Sequence, residues 1–183
     1  MSRIGRLPVN VPNEVKVNIE LSKVVVSGPK GSLEVAIPLG IEVAKEENHL
    51  QVKRKTDNKK AKAAHGLVRA LLNSAVIGVT KGFEKSLEMS GVGYRVSKQG
   101  AKLVFQLGFS HPIEIDPPKG IEFIVEGQTK IKVVGSDKQM VGQMAANIKE
   151  LRPVEPYKAK GIFYPGQYIR RKAGKAAKTA GAK

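Results

Sequence analysis

The chain has 183 residues, with 32 Lys and Arg against 16 Asp and Glu, a formal net charge of +16 and a pI near 10.1. Self-repulsion on that scale works against a compact state, so the surplus is expected to be matched by a polyanion, nucleic acid first and an anionic membrane surface second. The 41% hydrophobic content excludes wholesale disorder, and the lack of Cys excludes disulfides, thiol catalysis and Cys-ligated zinc.

The opening MSRIGRLPVNVP has no apolar h-region, and no uninterrupted run of 18 apolar residues follows, which reads as a soluble, non-secreted chain. Short strands with period-two alternation come next: Val15, Val17, Ile19; Val24 to Val26; Leu33, Val35, Ile37; Ile41, Val43; Leu50, Val52. A helix is predicted from Thr56 or Asp57, with Ala64, Leu67, Val68, Leu71, Leu72 and Ala75 on its apolar face and Lys59, Lys62, Arg69 and Asn73 opposite.

The pattern then starts again. A shift of 80 residues aligns Gly28 with Gly108, Glu34 with Glu114, Pro38 with Pro118, Gly40 with Gly120, Glu42 with Glu122 and Leu71 with Leu151; Leu50 and Val52 fit better at 81, with Ile131 and Val133. The second helix is predicted to begin at SDKQ, where Ser136 and Gln139 have capping-box spacing. It runs through Met140, Met144, Ile148 and Leu151 until Pro153 stops it. The predicted fold is α+β: a tandem duplication of a small domain, each copy a mostly antiparallel sheet packed with one helix, plus a basic C-terminal tail. The expected segments are 1–82, 83–154 and 155–183. They carry 14 cations and 7 anions, 10 and 8, and 8 and 1. The last 29 positions thus hold as much net charge as the first 82.

In EPYKAKGIFYPGQYIRRK, cations alternate with rings: Tyr157, Lys158, Lys160, Phe163, Tyr164, Tyr168, Arg170, Arg171, Lys172, with Lys175 just beyond. Cations meet phosphates while rings stack on unpaired bases, so the stretch points to RNA; the competing reading is that the rings pin the segment to the domain. Ser110 and His111 make a poor Ser-His catalytic pair and a better phosphate-facing turn. GVGYR lacks the third Gly and the following helix of a dinucleotide fingerprint, leaving Arg95 available to a phosphate. The start of the second helix, with Lys138 and Gln139, is a candidate phosphate seat; the competing reading is that Ser136 and Asp137 consume its N–H donors as caps. KRKTDNKKAK, Lys53 to Lys62, is basic too, yet a solvated hairpin-to-helix turn explains it nearly as well. His49, His65 and His111 lack metal-site spacing. No catalytic or metal-ligating residue is expected, nor a cofactor or small-molecule substrate.

SRIGRLPVNVP, RALLNSAVIGVTKGF, GVGYRV, LGFSHP, DKQMVGQ and above all EPYKAKGIFY resemble the bacterial large-subunit ribosomal protein six, or L-six, family over Ser2 to about Tyr164. The resemblance implies a duplicated α+β domain and a non-catalytic cytoplasmic protein of the ribosome. It further implies binding to large-subunit ribosomal RNA mainly through the C-terminal copy and tail, near the stalk base, neighbouring ribosomal proteins and the elongation-factor site. By position it implies RNA contacts at Tyr157, Lys158, Lys160 and Gly161, and also at Ser110, His111, Lys138 and Gln139; Arg170 to Lys175 rest on charge alone. Ala159 stands where the family commonly has Gly, and Phe163 where a basic residue is common. The competing classes are a metal-dependent nuclease, for which Glu114 and Asp116 share a strand face, and a membrane-surface binder, for which the tail lacks apolar anchors.

Overall fold

The computed structural model describes residues 3–174. In chain order the elements are β1 Val9–Asn10, β2 Lys16–Ile19, β3 Lys23–Gly28, β4 Gly31–Ala36, β5 Ile41–Glu46, β6 His49–Arg54 and α1 Lys59–Thr80; then β7 Phe83–Ser90, β8 Arg95–Gln99, β9 Lys102–Gln106, β10 Ile113–Ile115, β11 Ile121–Glu126, β12 Lys130–Gly135, α2 Lys138–Leu151 and β13 Gly161–Phe163. The fold is α+β, and it forms two compact units. The first runs to Phe83 and takes in Gly135–Lys138; the second comprises Glu84–Val134 and the chain from Gln139 onward.

In the first unit β2-β3-β4 form one sheet and β1-β6-β5 another. Alternation drives both. On β3, Val24 and Val26 point inward and are fully buried, facing Val35 and Leu33 of β4 across an antiparallel register. On β6, Leu50 and Val52 do the same, with Val9 of β1 paired to Leu50. Helix α1 closes this core with Val68, Leu72 and Val79, all fully buried. By length and composition α1 could cross a membrane, yet its apolar stripe is already spent on these sheets.

The second unit repeats the plan at the 80-residue spacing. β8-β9-β10 reproduce β2-β3-β4, and β7-β12-β11 reproduce β1-β6-β5, with β13 added outside β7. Phe105, Phe123, Leu103, Ile131 and Ile148 fill its core.

α1 starts two to three residues later than the sequence pattern predicts and α2 starts within SDKQ; each predicted apolar face is largely the buried one, with Leu67 and Met140 falling outside it. α1 begins at Lys59 because Asn58 caps it, its side-chain oxygen accepting from the Ala61 N–H at 2.7 Å. Asp57 is engaged elsewhere, by Arg54. The buried stripe runs Ala61, His65, Val68, Leu72, Ala75, Val76 and Val79. Leu67, about 100° around the helix from Val68, is 56% exposed rather than in the core. In α2, Val141, Ala145 and Ile148 are buried while Met140 is exposed. Helical residues 141, 145 and 148 share one face; Ile148 of the predicted stripe lies on it, while Met140 does not.

Candidate nucleic-acid interface

Pro153 ends α2, since it can neither donate nor follow a helical residue without strain. The chain then forms a tight loop: the Ala159 N–H donates to the Glu155 carbonyl at 3.0 Å and the Glu155 N–H to the Lys160 carbonyl at 2.8 Å. Ala159 closes it in the left-handed region, at φ 57. β13 then adds to the edge of β7, Ile162 opposite Met89, and Ile162 becomes fully buried. Gly161 must be glycine here. At φ +146 its would-be Cβ lies 2.7 Å from the Pro153 carbonyl oxygen and 2.7 Å from Val154 Cα.

What this scaffold leaves outside is the charged part of the loop. Tyr157 is 53% exposed, Lys158 is exposed beside it, and Lys160 is half-buried. The Lys172 N–H donates to the Pro156 carbonyl at 2.9 Å, returning the later chain to the loop and setting Arg171 and Lys172, with Arg170 before them, next to Tyr157 and Lys158. Arg170, Arg171 and Lys172 are all exposed. One backbone bond thus joins five candidate residues that lie up to 15 positions apart.

Beside the loop a cleft of about 450 Å³ is lined by Val92, Tyr94, Arg152, Pro153, Glu155 and Lys160. Arg152 organises it, donating from Nε to Tyr94 Oη at 3.1 Å while its guanidinium lies 5.1 Å from the centre of the Phe109 ring. Phe109 sits in the β9–β10 turn with Ser110 and His111, both exposed; Arg95, exposed, follows Tyr94 at the start of β8. Two turns and two post-helical segments therefore present cations and rings together.

Other candidates fall elsewhere. The Tyr164 ring lies 4.9 Å from the ammonium groups of both Lys85 and Lys149, which fixes it as a strut between β7 and α2 and supports the pinning reading for that ring. Lys138 groups with the first unit, its ammonium 5.9 Å from the Phe83 ring, and Gln139 follows it on α2. Gly161 is packed against residues 152–154 as described. Lys175 lies outside the described residues. Sequence reasoning missed Arg152, Phe109, Tyr94 and Val92. For the last three the signal was the recurrence of Gly-X-Gly and Gly-aromatic turns at Gly91–Tyr94 and Gly108–Phe109, each placing a ring beside a glycine.

Glu114 and Asp116, the pair behind the nuclease reading, both reach the Lys102 ammonium, at 3.7 and 3.4 Å. Among the described residues no group of three or more His, Cys, Asp or Glu could hold a metal. The class these features define is a duplicated α+β domain that presents cations and rings on exposed loops of its second copy.

The family model of ribosomal protein L6 matches residues 11–82 and 90–164, once for each copy. The chain is 56% identical to the large ribosomal subunit protein uL6 of Syntrophomonas wolfei over 96% of its length and 98% of that protein's. It is 53% identical to the Moorella thermoacetica protein of the same name over the full length of both. Against that of Rubrobacter xylanophilus it is 53% identical, over 96% and 99%. The chain belongs to the ribosomal protein L6 family. Its relatives are named as proteins of the large ribosomal subunit, and not as enzymes.

Proposed function

We propose that the chain is a structural component of the large ribosomal subunit in the cytoplasm, and that it binds ribosomal RNA through the loop cluster of its second unit. The proposal includes a position for this contact near the stalk base and the elongation-factor site, among neighbouring ribosomal proteins, which is what the family resemblance implies. The observation that carries the reading is the return of Lys172 to Pro156, which gathers Tyr157, Lys158, Arg170, Arg171 and Lys172 on one exposed edge beside the Arg152 cleft. Guanidinium and ammonium groups neutralise phosphates and release counterions, the exposed Tyr157 ring offers a stacking face, and β13 holds the loop rigidly so that little ordering entropy is lost on binding.

Deleting residues 155–183 would remove β13 along with the cations and confuse folding with binding. The test is therefore a substitution series on the intact chain: Lys158→Gln, Arg170→Gln, Arg171→Gln and Lys172→Gln, singly and together, in filter-binding titrations on a large-subunit RNA fragment. Each lost phosphate contact should remove about 0.7 to 0.9 from the slope of log K against log salt. A combined variant with the wild-type slope would overturn the proposal.

A further inference from the structure

The first unit holds a cationic cleft that the reading above does not use. About 520 Å³ in volume, it is lined by Arg6, Lys53, Arg54, Lys55, Asp57 and His65, together with Val52 and Thr56. Arg6 arrives there from 47 positions away in sequence. Its arm is pinned on one side where Gly5 lies flat on the His65 imidazole, so closely that a Cβ would fall 2.4 Å from Nδ1. On the other side Arg69 donates to the carbonyls of Leu7 at 3.2 Å and Pro8 at 3.3 Å. The floor is equally fixed. His65, 4% exposed, donates from Nε2 to the Val52 carbonyl at 2.9 Å, and Arg54 is held by Asp57 at 2.6 Å.

The acids present do not balance this cluster. Lys53 and Lys55 meet Glu46 and Glu42 only in exposed pairs, at 3.8 and 2.9 Å, and such pairs contribute little. Among the described residues, Asp57 is the one carboxylate in the cleft lining, and Lys59 and Lys60, at the entrance to α1, make no ion pair. The second unit lacks the feature: at the 80- to 81-residue spacing the run from Lys53 to Lys62 faces VVGSDKQMVG, with one cation and one anion. A set of positive groups built by two distant segments into a rigid floor, and present in only one of two duplicated units, calls for an anion.

We infer that this cleft is a second RNA contact, one that grips the phosphodiester backbone without reading bases. The second half of that statement follows from composition. All 5 Phe and 4 Tyr lie at or beyond Phe83 and there is no Trp, and the His65 ring of the lining is buried beneath Gly5, so the lining offers a base no open ring to stack on and is dominated by groups that meet phosphate oxygens. The inference rests on the RNA-binding reading of the second unit, and adds that the two units hold RNA by different chemistry.

The test compares two variants of the full chain on two RNAs, a large-subunit RNA fragment and a homopolymer such as poly(U). Lys53→Gln, Lys55→Gln, Lys59→Gln and Lys60→Gln together should lower the salt slope by roughly 3 to 3.5 on both RNAs alike, at about 0.7 to 0.9 per contact. The second-unit control, Lys158→Gln with Tyr157→Ala, should weaken binding more to the folded fragment than to poly(U). A first-unit variant that keeps the wild-type slope overturns the inference, as does one that loses slope on the fragment only. If the fourfold variant has a shifted unfolding midpoint, Arg6→Gln alone decides: a slope reduced by about 0.7 to 0.9 supports the inference and an unchanged slope overturns it. Wild-type protein that binds neither RNA overturns the reading of both units, whereas loss only in the second-unit control overturns this one alone.

Discussion

The two copies begin alike and end differently. Val68 of α1 and Ile148 of α2 occupy the same place in the repeat, both fully buried. From there α1 continues to Thr80, adding Leu72, Val76 and Val79 to the core, whereas α2 stops at Leu151 before Pro153. The chain freed by that stop becomes the Glu155–Lys160 loop and β13. The edge of the sheet differs in consequence: β1 is two residues long, while β7 is eight and carries β13 as an extra partner. Shortening one helix of a duplicated domain exposes a backbone edge, and filling that edge with a strand anchors a loop that can be all charge and ring. The first copy keeps the longer helix for its core and concentrates cations at the other end of α1, over a buried histidine whose counterpart is Ala145.

That contrast breaks most severely at Gly161. With backbone atoms of Pro153 and Val154 2.7 Å from the site of a Cβ, and φ at +146, Gly161→Ala must displace β13 or the post-helical segment. A loss of about 3 kcal/mol or more is expected in urea unfolding, with RNA binding falling as the loop loses its anchor. A loss below about 1 kcal/mol would show that the segment yields easily and that β13 is not what holds the loop.

His65→Ala strikes the first copy in a comparable way. His65 Nε2 donates to the Val52 carbonyl and Nδ1 accepts from Arg54 at 3.3 Å, which assigns the neutral ring with its proton on Nε2. Removing the ring leaves a buried carbonyl unpaired and opens a cavity under Gly5, at a cost of about 2 to 3 kcal/mol. His65→Asn, which can still donate, should recover part of it. Equal losses for both variants in thermal unfolding would mean that ring volume matters and the hydrogen bond does not.

Tyr157→Ala separates binding from stability. The ring is half in solvent, so the unfolding midpoint should stay put while affinity for the RNA fragment drops by about 1 to 3 kcal/mol, the range for a lost base stack. Unchanged affinity would reduce Tyr157 to a pin like Tyr164.

These sites differ in how far the sequence exposes them. The repeat, the strands of the first copy and the fold class are legible because period-two alternation survives wherever one face of a sheet is buried, as at Val24, Val26 and Val35. Helix phase is less so: Leu67 and Met140 look like core residues by hydrophobicity, and only the positions of the buried His65 and Ala145 reveal the true stripe, because a histidine and an alanine carry little apolar signal. β13 is hidden for a different reason. Gly161–Phe163 is too short for alternation to register. Arg152 reads in sequence as a helix-end cation, and its bonds to Tyr94 and Phe109 arise only from long-range folding.

A smaller effect is expected at Ala159. A non-glycine residue at φ 57 is strained by about 1 kcal/mol relative to glycine, but its methyl is buried at 6% exposure and contributes part of that back. Ala159→Gly should therefore stabilise the second copy by less than about 1 kcal/mol in urea unfolding. A net loss would show that methyl packing outweighs the strain.

The least effect belongs to Asp57, and its sign can be worked out. The Arg54 guanidinium, first by hydrogen bond and then by charge, with Lys62 behind it, holds the Asp57 carboxyl below its ordinary value of 3.8. A carboxyl whose folded value lies below its unfolded one contributes stability that is fully present above the unfolded value and is lost as pH falls through the folded one. The wild-type unfolding midpoint should consequently fall more steeply than that of Asp57→Asn as pH is lowered from about 5 to about 2, the two differing most at the upper end and converging at the lower. The group is exposed, so added salt should shrink the gap. Parallel curves across that range would mean that Asp57 leaves Arg54 free in solution. The rigid floor beneath Arg6 and Lys55 would then have to come from His65 alone.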